Sequence, residues 1–304
     1  MIALLAPGQG SQTPGMLTPW LELPGAVDRI ELWSKASGLD LLRLGTTATA
    51  EEIVDTAVTQ PLVVAAALLA FAEIPQDSVP ADTIVAGHSV GEFAAAAVAG
   101  VLSADDAVAL AAIRGAEMAK ACALEPTGMS AVLGGEEAVV LARLEELGLI
   151  PANRNAVGQI VAAGKLEALE ALAANPPEKA RVRALPVAGA FHTAFMAPAQ
   201  DAVAEAISKI APSAPVRTLL SNFDGRPVSS AQDAIDKLAA QVTRPVRWDL
   251  CTETVRAAGV SAVAELPPAG TLVGIAKREL KGTPNLALKT PADLPAFADL
   301  VSAG

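Results

Sequence analysis

Thr83-Ile84-Val85-Ala86-Gly87-His88-Ser89-Val90-Gly91-Glu92-Phe93-Ala94-Ala95-Ala96-Ala97-Val98-Ala99-Gly100 decides how this chain folds. Thr83 to Ala86 is β-branched and apolar and reads as a buried strand. Glu92 to Ala99 has helix-forming composition, and Gly100 suits a C-terminal cap. Between them the chain must pass from strand to helix through Gly87-His88-Ser89-Val90-Gly91. A glycine at each end fits a sharp, strained turn in which a side chain would collide with neighbouring backbone. Serine is thereby lifted to a helix N-terminus, where amide groups favour developing negative charge. GxSxG in this strand, turn and helix context is the nucleophile-elbow motif.

Working outward, Ile2 to Ala6 is a second short apolar run, stopped by Pro7 and Gly8, and reads as a buried strand ending in a loop. Gln60 to Ala72 is helix-forming, with Pro61 expected in its first turn. Such alternation predicts an α/β fold: a large α/β-hydrolase-like domain with a mostly parallel sheet. Between about Gly128 and Pro186 the texture changes. Met129 to Leu133, Ala152 to Ala156, Gln159 to Ala163 and Arg181 to Leu185 are strand-like, while Glu136 to Leu147 and Leu166 to Ala174 are helix-like. The order βαββαβ predicts a small inserted ferredoxin-like subdomain. The expected division is therefore 1–127 with 187–304 as the large catalytic domain and 128–186 as the small one.

With 33 acidic against 22 basic residues the net charge is -11, which repels phosphate backbones and argues against non-specific nucleic-acid binding. The longest apolar run, Leu62 to Ala72, is too short to span a bilayer. The opening MIALLAPGQG has no basic residue before its apolar stretch, so a cytoplasmic location is expected. Cys122 and Cys251 have neither metal nor redox spacing and read as two reduced, buried thiols.

A serine hydroxyl needs a base at neutral pH, most often histidine. The chain holds two. His88 adjoins Ser89, so on a tight turn its ring projects elsewhere, and it is assigned to packing. His192, in Gly189-Ala190-Phe191-His192-Thr193 where the chain re-enters the large domain, is favoured by elimination. The loop Gly8-Gln9-Gly10-Ser11-Gln12 follows the first strand; a backbone amide from it, with the amide of Val90, forms the expected oxyanion hole. Arg114 stands on an otherwise nearly apolar helical stretch, Ala107 to Ala119. Two readings are open: a salt bridge to Glu117 or Asp106, or a bidentate grip on a substrate carboxylate beside the nucleophile.

With these residues in hand, the chain resembles the malonyl-CoA:acyl carrier protein transacylase family along nearly its whole length. The resemblance is carried by Pro7 to Gln12, Gly87-His88-Ser89-Val90-Gly91-Glu92, Arg114-Gly115, Asn155 with Gly158-Gln159, Phe191-His192-Thr193 with Met196, Pro245-Val246-Arg247-Trp248 and Pro268-Ala269-Gly270. It implies a ping-pong transfer of malonyl from malonyl-CoA through Ser89 to the phosphopantetheine thiol of an acyl carrier protein, supplying extender units for fatty-acid synthesis. It further implies that His192 acts as base and then acid, that Arg114 holds the malonyl carboxylate, and that the amides of Gln9 and Val90 hold the oxyanion. The resemblance also implies that a backbone carbonyl in place of an aspartate orients the histidine, and by motif spacing that position falls on Gln241. Phe191 would narrow the space beside the acyl α carbon, as in relatives that prefer malonyl to methylmalonyl. Neither metal nor bound organic cofactor is implied, coenzyme A being a substrate, and a monomer is expected. Thr193, Phe93 and Pro267-Pro268-Ala269 depart from the family's usual residues.

Two rivals share these features. A serine hydrolase or thioesterase would use the same elbow and base but gain nothing from Arg114 if its acyl chains were neutral. A carrier-binding module without catalysis would need neither Ser89 nor His192. For an acidic carrier, Lys277, Arg278 and Lys281, with Arg247, form the candidate docking cluster.

Overall fold

The computed structural model describes residues 1–302. Its strands are β1 Ile2–Ala6, β2 Ile84–Gly87, β3 Thr127–Gly134, β4 Ile150–Ala156, β5 Gln159–Lys165, β6 Ala180–Ala184, β7 Thr218–Leu219, β8 Val246–Arg247, β9 Ala262–Glu265 and β10 Asn285–Ala287. Five of them form one sheet in the order β10-β9-β1-β2-β7, with every neighbouring pair parallel. β1 shows why its sequence is apolar without alternation. Ile2, Leu4 and Ala6 enter one core while Ala3 and Leu5 enter another on the opposite face, so both sides of the strand are covered.

The second sheet has the order β6-β3-β5-β4-β8. Its first four strands pair antiparallel and, with helices Glu137–Glu146 and Leu166–Ala174, give the expected βαββαβ ferredoxin-like arrangement. The fifth strand is not expected from sequence. β8 is two residues long and pairs parallel with β4, Asn153 opposite Val246 and Arg154 opposite Arg247. The returning chain thus joins the small sheet at the edge that faces the elbow.

One helix begins earlier than its composition suggests. Thr56–Ala72 starts at the Asp55 cap, whose carboxylate accepts from the Ala57 amide at 2.8 Å. Pro61 therefore lies inside the helix, not in its first turn. The missing proline N–H and the ring's clash normally disfavour this site. Burial on nearly all sides, Thr59 through Ala70, compensates, and the helix packs against Ala104–Cys122, which carries Arg114.

Candidate active site

β2 ends at Gly87 and helix Gly91–Val98 follows at once, leaving Ser89 at φ 54°, in the left-handed region. A Cβ on Gly87 would lie 2.1 Å from the Gly91 carbonyl carbon, and one on Gly91 would lie 2.4 Å from the Ala6 carbonyl oxygen. Neither position accepts a side chain, which is why the motif spells glycine at both.

The elbow aims Ser89 at the second histidine. Ser89 Oγ and His192 Nε2 are 2.7 Å apart, and His192 Nδ1 lies 3.0 Å from the Gln241 carbonyl oxygen. A carbonyl only accepts, so Nδ1 carries the proton and Nε2 is left to accept from the serine hydroxyl. Burial, and after it the charge of Arg114, push the imidazole down to about 3, so it is neutral near pH 7 and its Nε2 lone pair is free to accept a proton. His192 itself sits at φ 60°, a second strained residue opposite the first. His88 turns away: Nε2 meets Asn155 Oδ1 at 2.8 Å and the ring packs obliquely on Trp248.

The structure removes one of the two readings of Arg114 left open by the sequence, the salt bridge. It is 1% exposed and touches neither Glu117, which pairs with Lys120 at 2.6 Å, nor Asp106, which is bound by Ser103. Instead one terminal nitrogen donates to Gln60 Oε1 at 2.5 Å, and the other donates to Gln241 Oε1 at 2.7 Å and reaches Ser89 Oγ at 3.4 Å. Among the described residues its Nε has no partner. Burial lowers the guanidinium to about 10, which leaves it cationic at neutral pH. The structure therefore holds a desolvated cation on neutral oxygens beside Ser89, with no carboxylate in contact among the described residues.

Ser89, His192, Arg114, Gln9 and Phe191 line a common cavity of about 220 Å³ between the two sheets, with Met129 and Val161 on the small-sheet side. Phe191 is buried, directly before His192. Gln9 holds Thr56 Oγ1 through its side chain at 3.3 Å, and the Val90 side chain enters the core. Among the described residues neither the Gln9 nor the Val90 amide donates to a protein acceptor. Gln241 stands behind His192 and Arg114, outside the cavity wall. Lys277 and Arg278 are exposed on helix Thr271–Glu279, whose Thr271, Leu272 and Ile275 border the cavity. Arg278 donates to Gln159 Oε1 at 2.7 Å, whereas Arg247 is neutralised by Asp249 at 2.7 Å.

The sequence reading gave no role in the site to three of its residues. Gln60 holds Arg114; Asn222 spans the elbow, its Nδ2 donating to the Gly87 carbonyl and its Oδ1 accepting from the Ser89 amide, both at 2.8 Å; and Glu92 lies buried beneath them. Only Glu92 carried a signal, as a carboxylate in the first turn of a helix that is otherwise apolar.

The acyl transferase domain family matches residues 4–292. The malonyl CoA-acyl carrier protein transacylase of Mycobacterium tuberculosis H37Rv is 69% identical over 302 residues, covering 99% of this chain and all of that one. The protein of the same name from Mycolicibacterium smegmatis is 67% identical over 290 residues, 94% of this chain and all of the relative. The crystal structure of MCAT from Mycobacterium tuberculosis superposes with a TM-score of 0.96 at 69% identity, covering 98% of this chain and 99% of that one. Matched along nearly its full length in sequence and in fold, this chain belongs to the acyl transferase domain family.

Proposed function

We propose that this protein is an acyl-carrier-protein S-malonyltransferase, moving malonyl from malonyl-CoA to the phosphopantetheine thiol of an acyl carrier protein and so supplying extender units for fatty-acid synthesis. The observation that carries the reading is Arg114, a buried guanidinium with no carboxylate partner among the described residues, 3.4 Å from the serine oxygen. The names of the relatives support the same assignment.

In this reading Ser89 Oγ attacks the thioester carbonyl as His192 Nε2 takes its proton. The amides of Gln9 and Val90 meet the oxyanion, aided by the N-terminus of helix Gly91–Val98. The carbon–sulfur bond breaks, His192 returns the proton to the coenzyme A thiolate, and malonyl remains on Ser89. The carrier's thiol then gives its proton to His192 and attacks the ester, and His192 restores the proton to Ser89. The Gln241 carbonyl keeps the imidazole in the tautomer that both halves require. Arg114 receives the malonyl carboxylate, using the desolvated charge that Gln60 and Gln241 only partly satisfy. Coenzyme A enters and leaves as a substrate. The work divides between the catalytic portion 1–127 with 187–304 and the portion 128–186, which covers the acyl group.

The carrier docks, in the same reading, against the helix bearing Lys277 and Arg278, beside the cavity mouth; Arg247 is left out because Asp249 occupies it. No helix of the described residues is long and apolar enough to cross a membrane, and the protein is read as a cytoplasmic monomer.

The test is intact-protein mass spectrometry after mixing with malonyl-CoA or acetyl-CoA, followed by addition of carrier bearing phosphopantetheine. A malonyl adduct that the carrier removes is the expected result. Free malonate with no transfer would instead make the protein a hydrolase.

Phe191 governs which acyl group fits. Its ring lines the cavity directly before the base, so Phe191→Ser is expected to lower the malonyl to methylmalonyl ratio roughly 10-fold, within the ~1–3 kcal/mol that one methyl group commands in an apolar pocket. Competition between the two thioesters measures it, and an unchanged ratio removes Phe191 from the selectivity account.

A further inference from the structure

Glu92 is 5% exposed, makes no ion pair among the described residues, and is untouched by the reaction as described. Its two oxygens nevertheless meet two N–H donors from distant parts of the chain. Oε1 accepts from the Asn222 amide at 2.8 Å, and Oε2 accepts from Gln241 Nε2. Asn222 in turn brackets the elbow at Gly87 and Ser89, while Gln241 Nε2 also donates to the Ser89 carbonyl at 2.7 Å. The other atoms of Gln241 take Arg114 and the His192 ring. One carboxylate thus ties together the nucleophile's turn, the carbonyl that orients the base, and the oxygen that holds the guanidinium.

We infer that Glu92, as a carboxylate, is the positioning residue that sets His192 and Arg114 in register with Ser89, acting through Gln241 and Asn222. The inference rests on the proposed malonyl transfer. A carboxylate is required because the Asn222 and Gln241 N–H groups can only donate, and only the ionised group presents acceptors alone to both. Protonation, or exchange for an amide, sets a donor against a donor at one of the two contacts.

The carboxyl is also poised to titrate. Burial raises it to about 7, against the opposing hydrogen bonds from Gln241, Asn222 and Ser221 and the charge of Arg114. The ionisable groups facing it are Arg114 from helix Ala104–Cys122 and Cys251 from helix Trp248–Ala257, whose thiol burial pushes well up, with His192 beyond Gln241. Arg114 stays charged and His192 and Cys251 stay neutral between pH 5.5 and 9. Acylation should therefore decline as pH falls through about 7 because Glu92 gains a proton, and not because the histidine does.

The experiment is quenched-flow acylation by malonyl-CoA and acetyl-CoA, read by intact mass from pH 5.5 to 9, on wild type and Glu92→Gln, with rates normalised to the fraction of protein that can be acylated. The expected result for Glu92→Gln is an acylation rate at least about 10-fold lower, a narrowed malonyl to acetyl ratio, and loss of the acid limb near 7. If Glu92 were simple structural support, the variant would melt earlier and contain fewer competent molecules. Its normalised rate, ratio and limb would match wild type, and that outcome overturns the inference. Wild type that takes no malonyl overturns the function and this inference with it; wild type that acylates while the variant equals it overturns the inference alone. Should Glu92→Gln not fold, Glu92→Asp keeps the charge with one methylene less reach: a slower rate with the limb retained is expected, and an unaltered rate counts against the idea.

Discussion

Ser89→Ala is expected to form no malonyl adduct and to lose transfer to the carrier by about 10,000-fold or more. The magnitude follows from what remains. A donor-lined site without its nucleophile still binds substrate and polarises the carbonyl, but the covalent route is closed, and removing one member of such a unit costs nearly as much as removing all. The comparison is clean because the fold does not depend on the hydroxyl. Alanine adopts φ 54° with no more strain than serine, and the backbone bonds that pin residue 89, its amide to Asn222 and its carbonyl to Gln241, survive the exchange. The melting temperature should therefore stay within a few degrees of wild type. Intact mass with malonyl-CoA is the measurement; an adduct that persists in Ser89→Ala would place the acyl group on another residue and dismantle the elbow argument.

The parts of this site that sequence discloses are those whose physical demand is local. The elbow is legible because the steric need for glycine at position 87 arises within five residues, from the Gly91 carbonyl and the Glu92 amide, whereas the need at position 91 comes from the distant Ala6 and Pro7 carbonyls and is read only through the motif; β1 is legible because a strand covered on both faces has no polar alternation to hide it. Arg114 announces itself by contrast with its apolar helix, but its partners do not. Gln60 is 54 positions away and Gln241 is 127, and neither residue type signals a buried acceptor. Glu92 and Asn222 are coupled across 130 positions, so their role exists only after the sheet has formed. The same holds for β8, a two-residue strand created by its partner, and for the helical start at Thr56, where burial outweighs the local preference of Pro61. The Gln241 carbonyl is the limiting case: every residue has one, and only the family resemblance pointed to this one.

Arg114→Ala is expected to lower acylation by malonyl-CoA about 100- to 1,000-fold while changing acetyl-CoA far less, so that discrimination between the two largely collapses. The argument is one of desolvation. Malonyl-CoA brings a carboxylate into the cavity beside Ser89, and the cost of stripping its water is met by a cation that has already been stripped of its own and sits on neutral oxygens. Removing one partner of a buried, hydrogen-bonded charge pair costs ~2–5 kcal/mol, whereas an acetyl group has no charge to lose. Two side effects have predictable signs. The freed oxygens of Gln60 and Gln241 lose a donor in a buried site, so the variant should be less stable by ~1–3 kcal/mol for each oxygen left unsatisfied. The His192 pKa should rise, because Arg114's charge is one of the forces holding it down, although burial, the larger force, remains. Arg114→Lys separates charge from geometry: an ammonium supplies the cation but not the planar fork, so it cannot hold Gln60, Gln241 and a carboxylate together, and partial recovery is expected. Acylation rates for both thioesters, measured beside thermal melting, decide the matter. If Arg114→Ala discriminates malonyl from acetyl as wild type does, the guanidinium serves the architecture of the elbow and the carboxylate is recognised elsewhere in the cavity.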